Sequence, residues 1–445
     1  MQMNPSKSMK LLRFITPLAI LLLAAAPSPA QLVIPGADGS DGALNITTNT
    51  VIDLSQALTT NWNADNTGNA GGGVYDSNQW AVVYKYSSVN VAAGATVTFN
   101  NHSSRAPVVW LVSGDVTING TVILDGGNWV PAPGLSEPGP GGFRGGCGYY
   151  TAGVANGPGF GPGGGYAGSV GYCCGGYHGP AGGGASYGSV GENVSGNFPV
   201  APVYGNPSLV PLIGGSGGGG GIVDGVGASG GAGGGAILIA CGGTLTLSGI
   251  IQANGGLGNS RNYGGNYGSG DGSGGGIRLV AQALVGTGSI LALGGNDTIF
   301  GGLGRIRIER VVNTNSIRVT PDPSVVSLTP GSTALIWPPT NAPTIKIVSI
   351  GTQHAPTDPL TAFGTQGADI VQPLTNSIPV VIETTNVEQA SQVSVIVTPR
   401  SNGGATTVNA SVTSVVNSNP LTLLWTANMP VNLGYSAIQV QVVRP

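Results

Sequence analysis

The sequence predicts an all-β chain: a parallel β-solenoid (β-helix) with glycine-rich insertions on one edge, followed by an immunoglobulin-like β-sandwich. Three observations predict it. A segment of about twenty residues with alternating apolar positions recurs four times. Glycine is concentrated, with 65 of the 80 glycines in 111–304. The C-terminal part breaks into short alternating runs spaced about ten residues apart.

The four copies are Val82 to Asn101, Val108 to Gly127, Ala236 to Gly256 and Gly276 to Gly295, and a fifth begins at Arg305 and stops early. Each has an alternating run, a short piece around Gly or Asn, and a second alternating run closed by a turn pair. Alternation with a period of two is the mark of a strand. Three short strands in so few residues make one coil of a solenoid, stacked on the next by parallel pairing. The spacers between copies hold 6, 108, 19 and 9 residues, and the last three leave at the same point, after the closing Gly-Gly. Insertions at one point of each coil emerge on one edge, so the glycine belongs to a one-sided decoration.

The long insertion, 128–235, combines glycine with regularly placed aromatic residues and has very few charges. That composition predicts a compact layer in which aromatic rings pack on bare glycine surface. Extended three-per-turn glycine helices lying side by side are one form for Gly214 to Gly221, and disorder is the other. After the solenoid (31–319), a Pro/Thr/Ser-rich stretch, 320–343, reads as a linker. The runs TIKIVSI, IPVVIETTN, QVSVIVTPR, TTVNASVTSV, LTLLWTANMP and YSAIQVQVV then give a sandwich over 344–445. Trp425 is its expected core anchor.

Charge is scarce, at 7% of residues, and the net charge is −3. No basic face exists for nucleic acid, and glycine lacks the every-third-residue frame of collagen. Residues 1–30 read as a secretory signal peptide. Lys7, Lys10 and Arg13 precede an apolar run from Ile15 to Ala26, and Ser28-Pro29-Ala30 supplies the small residues of a cleavage site. No later segment is long and apolar enough for a membrane span. The expected location is secreted, extracellular or the outer cell surface, with the periplasm as an alternative. In an oxidising compartment Cys147, Cys173, Cys174 and Cys241 are disulfide candidates, with the connectivity open. A metal reading of Cys173, Cys174 and His178 fits no zinc spacing.

Candidate chemistry is sparse. His102, Arg105 and Asp115 are the best available catalytic constellation, against the plainer reading that His102 and Arg105 cap a bend. Asp115, Asp125, Asp297 and Glu309 are the acids in or beside the repeats, and they show no obvious pairing for glycoside hydrolysis. Two weak calcium (Ca2+) candidates exist. Asp38 and Asp41 sit three apart in a glycine turn. Asp297 lies in GGNDTIFGGLG, which resembles one unit of the calcium-binding nonapeptide repeat but lacks a tandem copy. SGDGSGGG around Asp271 has neither the Lys-Ser/Thr nor the helix of a phosphate loop. Tyr149, Tyr150, Tyr166, Tyr172 and Tyr177 are the candidate ligand contacts.

The segments GSDGALNI, NHSSRAPVVWLVSGDVTINGTVILDGG, PGPGGFRGG, GFGPGGG and GGLGRIRIE together resemble a group of exported, glycine-rich bacterial β-solenoid proteins. The similarity covers most of 36–310, and the C-terminal part looks like the immunoglobulin-like module such proteins carry. The resemblance implies no activity and brings no catalytic residues. The expected function is therefore an exported, non-enzymatic structural or cell-surface/matrix protein with adhesion as its work. Expected partners are surface glycan, envelope components or a second copy of the chain. A carbohydrate-binding or polysaccharide-cleaving β-helix and a calcium-stabilised scaffold are the alternatives.

Overall fold

The computed structural model describes residues 30–148, 156–168, 172–173, 176–177, 181–192, 200–223, 225–262, 266–297, 299–356, 369–373, 377–399, 406–430 and 436–445. The described chain is all-β, with two single-turn 3-10 segments and no α-helix.

The repeats lie on one another in parallel register. A first row of strands runs Ala81–Tyr86, Val108–Val112, Ala236–Leu247, Gly276–Gly286 and Arg305–Asn315, and Ser324–Ser327 closes it. A second row begins with Ala43–Ile46, Ser88–Val91 and Val116–Ile118 and continues into the latter halves of the three long strands. The third row is a separate parallel sheet: Thr50–Asp53, Thr96–Asn100, Thr121–Ile123, Ile250–Gln252, Ser289–Leu291 and Arg318–Thr320.

In-register pairing turns the alternation into columns of like side chains. Tyr84, Trp110, Ile239, Leu279 and Ile308 form one column. Val97, Val122, Ile251, Ile290 and Val319 form another on the facing sheet. Both columns belong to one core, in which full burial of each aliphatic side chain is worth about 1.5–3 kcal/mol. The first-row strands are apolar on their inner face and, from Ala81–Tyr86 to Gly276–Gly286, largely apolar on the outer face as well, where Lys85 and Arg278 are the charged exceptions. Their outer face is covered by Leu32, Ile34, Leu209, Leu212, Ala334 and Ile336.

Two members of the stack carry no repeat signal in the sequence. The turn Ala43–Asp53 supplies only a second-row and a third-row strand. Ser324–Ser327 lies in the stretch 320–343, where Val33 also bridges Thr333. The stack ends by changing side-chain character. Arg310 occupies the column of Cys241 and Ala281, and Asn313 that of Leu245 and Leu284. Ser327 of the closing strand pairs with Arg310, whereas Asn313 lies beyond that pairing, where an inward polar group discourages a further strand.

The glycine-rich segments form a layer held together by backbone hydrogen bonds that follow a three-residue rule. Gly230 and Gly233 donate to Gly146 and Phe143; Gly231 and Gly234 to Gly270 and Ser273; Ala232 and Gly235 to Gly127 and Leu124. Successive N–H groups thus point to three different neighbours, which is the geometry of an extended helix with three residues per turn. The tract 270–275 repeats the scheme, with Gly219 and Ser216, Ile299 and Gly302, and Gly256 and Ala253 as acceptors. Gly214–Gly220 does likewise, its donors reaching Gly141, Phe160 and Gly157, then Gly234 and Gly231, and Gly183. Such strands approach too closely for side chains. A Cβ on Gly218 would overlap the carbonyl of Gly270, and one on Gly233 that of Gly215. Tyr187 and Tyr204 tie the layer to the stack. Their hydroxyls donate to Ile213 O at 2.8 Å and Gly214 O at 2.6 Å, and Arg305 lies over the Tyr187 ring.

The C-terminal unit consists of two antiparallel sheets. One orders Gln353–His354, Thr344–Ile350, Ile378–Thr385, Leu421–Met429 and Ser411–Ser418; the other Thr406–Asn409, Gln392–Pro399 and Ser436–Val443. Val380, Ile382, Val393, Val395, Val397 and Leu423 fill its core around Trp425, whose indole N–H donates to Thr384 Oγ1 at 2.8 Å.

Candidate functional sites in the ion clusters and the glycine layer

The charged residues of the stack and the layer gather in small clusters that join distant segments. Lys85 follows the apolar run of the first repeat on the outer face, fully buried. Its Nζ donates to Asp38 Oδ2 at 2.7 Å and to Ala64 O at 2.5 Å. Asp41 is equally committed. Its Oδ1 accepts from Asn66 Nδ2 at 2.5 Å and Gly71 N at 2.9 Å, and its Oδ2 from Lys85 N at 2.6 Å. Burial pushes the Asp38 carboxyl up, but Lys85 and Ser40 outweigh it and hold it below its ordinary value. The two carboxylates that suggested calcium therefore anchor an N-terminal loop around an internal ammonium.

A second cluster joins the bend after the first repeat to the long insertion. Arg105 Nε lies 2.7 Å from Glu137 Oε1, and Arg144 Nη2 lies 2.8 Å from Glu137 Oε2. Burial raises the Glu137 carboxyl, and the two guanidinium groups bring it below normal. His102 shares a 2.8 Å hydrogen bond with Ser104 Oγ and stacks on Tyr75. Asp115 serves elsewhere, accepting Thr244 N at 2.7 Å between stacked repeats. The triplet His102, Arg105 and Asp115 is thus divided between separate structural tasks.

In a third cluster Arg278, almost fully buried, meets Glu309 Oε1 at 2.9 Å and donates to Leu335 O at 2.5 Å. Arg307 shares Glu309 at 3.2 Å and reaches Ser324 Oγ at 2.7 Å. The cluster fastens the segment after the stack across its outer face. A signal for it exists in the sequence: a charge inside an apolar run (VVYKY, GIRLV) has to find a partner within the fold.

Asp125 and Asp271 are acids held by amide and backbone N–H donors among the described residues. Asp125 accepts Asn254 N at 2.6 Å and Gln252 Nε2 at 2.5 Å, and burial pushes its carboxyl up. Asp271 is fully buried in the layer, where Gly258 N and Asp297 N donate to it at 2.5 and 2.8 Å. The N–H groups of 270–275 all donate to layer carbonyls, so this glycine tract presents no phosphate cradle. Among the described residues no group of three or more His, Cys, Asp or Glu is placed to hold a metal ion.

The remaining candidates are distributed as follows. Tyr166 is 2% exposed and packs inside the layer, out of reach of a ligand. Tyr149 and Tyr150 lie outside the described residues. Tyr172 and Cys173 pair with Tyr177 and Gly176 in a short hairpin, their side chains outside the description, as is all of Cys174 and His178. Cys147 and Cys241 are free thiols. Burial raises both, Cys241 to about 12, which suppresses the reactive thiolate. No described helix is long and apolar enough to cross a membrane. Comparison with known proteins finds no family model that matches the chain, no similar curated protein and no similar solved structure.

Proposed function

We propose that the chain is an exported, non-enzymatic structural protein of the cell surface or extracellular matrix, with adhesion as its work. In this reading the stacked repeats are a β-solenoid, the glycine layer is a rigid plate on one edge of it, and the C-terminal unit is an immunoglobulin-like module. The observation that carries the reading is the use of charge. Lys85, Arg105, Arg144, Arg278 and Arg307 are each paired with a carboxylate of the chain, and Lys85–Asp38, Arg105–Glu137 and Arg278–Glu309 join separate segments. Chemistry that serves cohesion in this way belongs to a scaffold. The signal-like N-terminus and the scarcity of charge support the same reading. Cell fractionation should recover the protein in the envelope or matrix fraction. Release of reducing ends from polysaccharides at ordinary turnover by the purified protein would overturn the proposal.

A further inference from the structure

Two segments from opposite ends of the stack meet on the outer face of the first-row strands. One is an arm, 31–34, and the other a strap, 328–337, which follows the last stacked strand. Leu32 and Ile34 of the arm and Ala334 and Ile336 of the strap belong to one buried cluster with Val83, Val109 and Leu238. Val33 pairs in parallel with Thr333: its N–H donates to Ser332 O at 3.0 Å, and its carbonyl accepts Ala334 N at 2.9 Å. Leu32 N donates to Gln282 Oε1 at 2.7 Å, across 250 residues of chain. Arg278 fixes the strap by donating to Leu335 O and Ile336 O. The arm begins where the signal-like segment ends. Ala30, the last residue before the expected cut, lies beside Gly331 of the strap, where an added Cβ would stand 3.0 Å from the Ala30 methyl. Leu32, the second residue after the cut, is 2% exposed. The bond Ala30–Gln31 is thus flanked by a residue against the strap and a residue inside the fold, whereas a peptidase takes exposed chain.

We propose that the arm and the strap form a lock that shields the Ala30–Gln31 bond once closed, so that removal of the signal segment has to precede closing. This rests on the exported reading of the chain, because it takes residues 1–30 as a signal peptide. The covalent step is hydrolysis of one peptide bond: water adds at the Ala30 carbonyl carbon, the C–N bond to Gln31 breaks, and the products are a carboxylate on Ala30 and an amine on Gln31. Docking withholds that bond from the peptidase, and a peptidase that holds the bond withholds the arm from the strap. The order of synthesis decides between the two. The arm emerges first, and its partners Gln282, Ser332 and Ala334 emerge after most of the stack. At about 5–20 residues per second, the 250 residues between Leu32 and Gln282 leave the bond open for on the order of 10–50 s. The cut arm then docks, and the outer face closes.

Hydrogen exchange of the purified chain that starts at Gln31 tests the lock. Leu32→Ala should lower the protection of the strap amides around Ala334 by about tenfold or more, while Val108–Val112 inside the stack keeps its own. Unchanged strap protection would overturn the lock. Should that variant fail to fold, Ile34→Val serves instead, with an expected loss of about threefold, and no loss would reject the lock. Cleavage of the full chain by a signal peptidase in detergent micelles tests the order. Unfolded precursor should be cut at Ala30–Gln31 at least about tenfold faster than precursor refolded beforehand, and Leu32→Ala should speed cutting of the refolded form. Equal rates for the two wild-type forms would overturn the order. Cutting of neither form would reject the signal reading and the order with it, while the exchange result still decides whether arm and strap are coupled.

Discussion

The repeat stack and the glycine layer solve the same problem, ordering extended backbone without helices, by opposite means. In the stack each strand pairs along its length with one neighbour on either side, and alternate side chains fill the core, as in the column from Tyr84 to Ile308. In the layer each strand divides its N–H groups among three neighbours, and at its glycine positions little room is left for a side chain. One region coheres by what its residues carry, the other by what they lack. Glycine loses the most conformational freedom on ordering. Dense hydrogen bonding on three sides is what offsets that cost in the layer.

The comparison predicts that the stack fails by subtraction and the layer by addition. Trp110→Ala, in the middle of the core, should destabilise by about 3–5 kcal/mol in chemical denaturation. Glu309→Ala should cost a similar 3–5 kcal/mol, because Arg278 is left buried without its carboxylate. Gly218→Ala should cost about 1–3 kcal/mol or more, since the added methyl meets the Gly270 carbonyl. Asp38→Asn should destabilise at neutral pH and converge with the wild type in acid. Its folded-state pKa is depressed, so the stability it contributes is present above about 4 and lost as the pH falls further; the variant's melting temperature should vary less with pH there. Gly68→Ala, with open space around it and no left-handed backbone, should stay within about 0.5 kcal/mol. A Gly218→Ala protein as stable as Gly68→Ala would end the contrast between the two regions.

What was readable in the sequence followed the side chains. Val97, Val122, Ile251 and Ile290 announce a shared column because the same face of each repeat must be apolar. The strands of the C-terminal unit were legible for the same reason. The turn Ala43–Asp53 was not, since it lacks a first strand and its next repeat begins beyond an intervening segment. The candidate sites were less legible than the fold. Lys85 and Asp38 lie 47 residues apart, Arg278 and Glu309 lie 31 apart, and nothing local marks either pair. Tyr166 stood as a candidate ligand contact in a tract expected to pack as a compact layer, and the layer closes over it.

The sequence by itself determined that the chain is β-rich and repetitive, and that its glycine leaves the repeats at one point. Periodic side chains encode those features locally. The tertiary structure alone decided which glycine strands are neighbours, because a residue without a side chain carries no label for its partner. It also decided which charges meet. Gly231 finds Gly270, and Asp271 finds Gly258, Asp297 and Ala185, only once the stacked repeats hold the ends of the insertions in line.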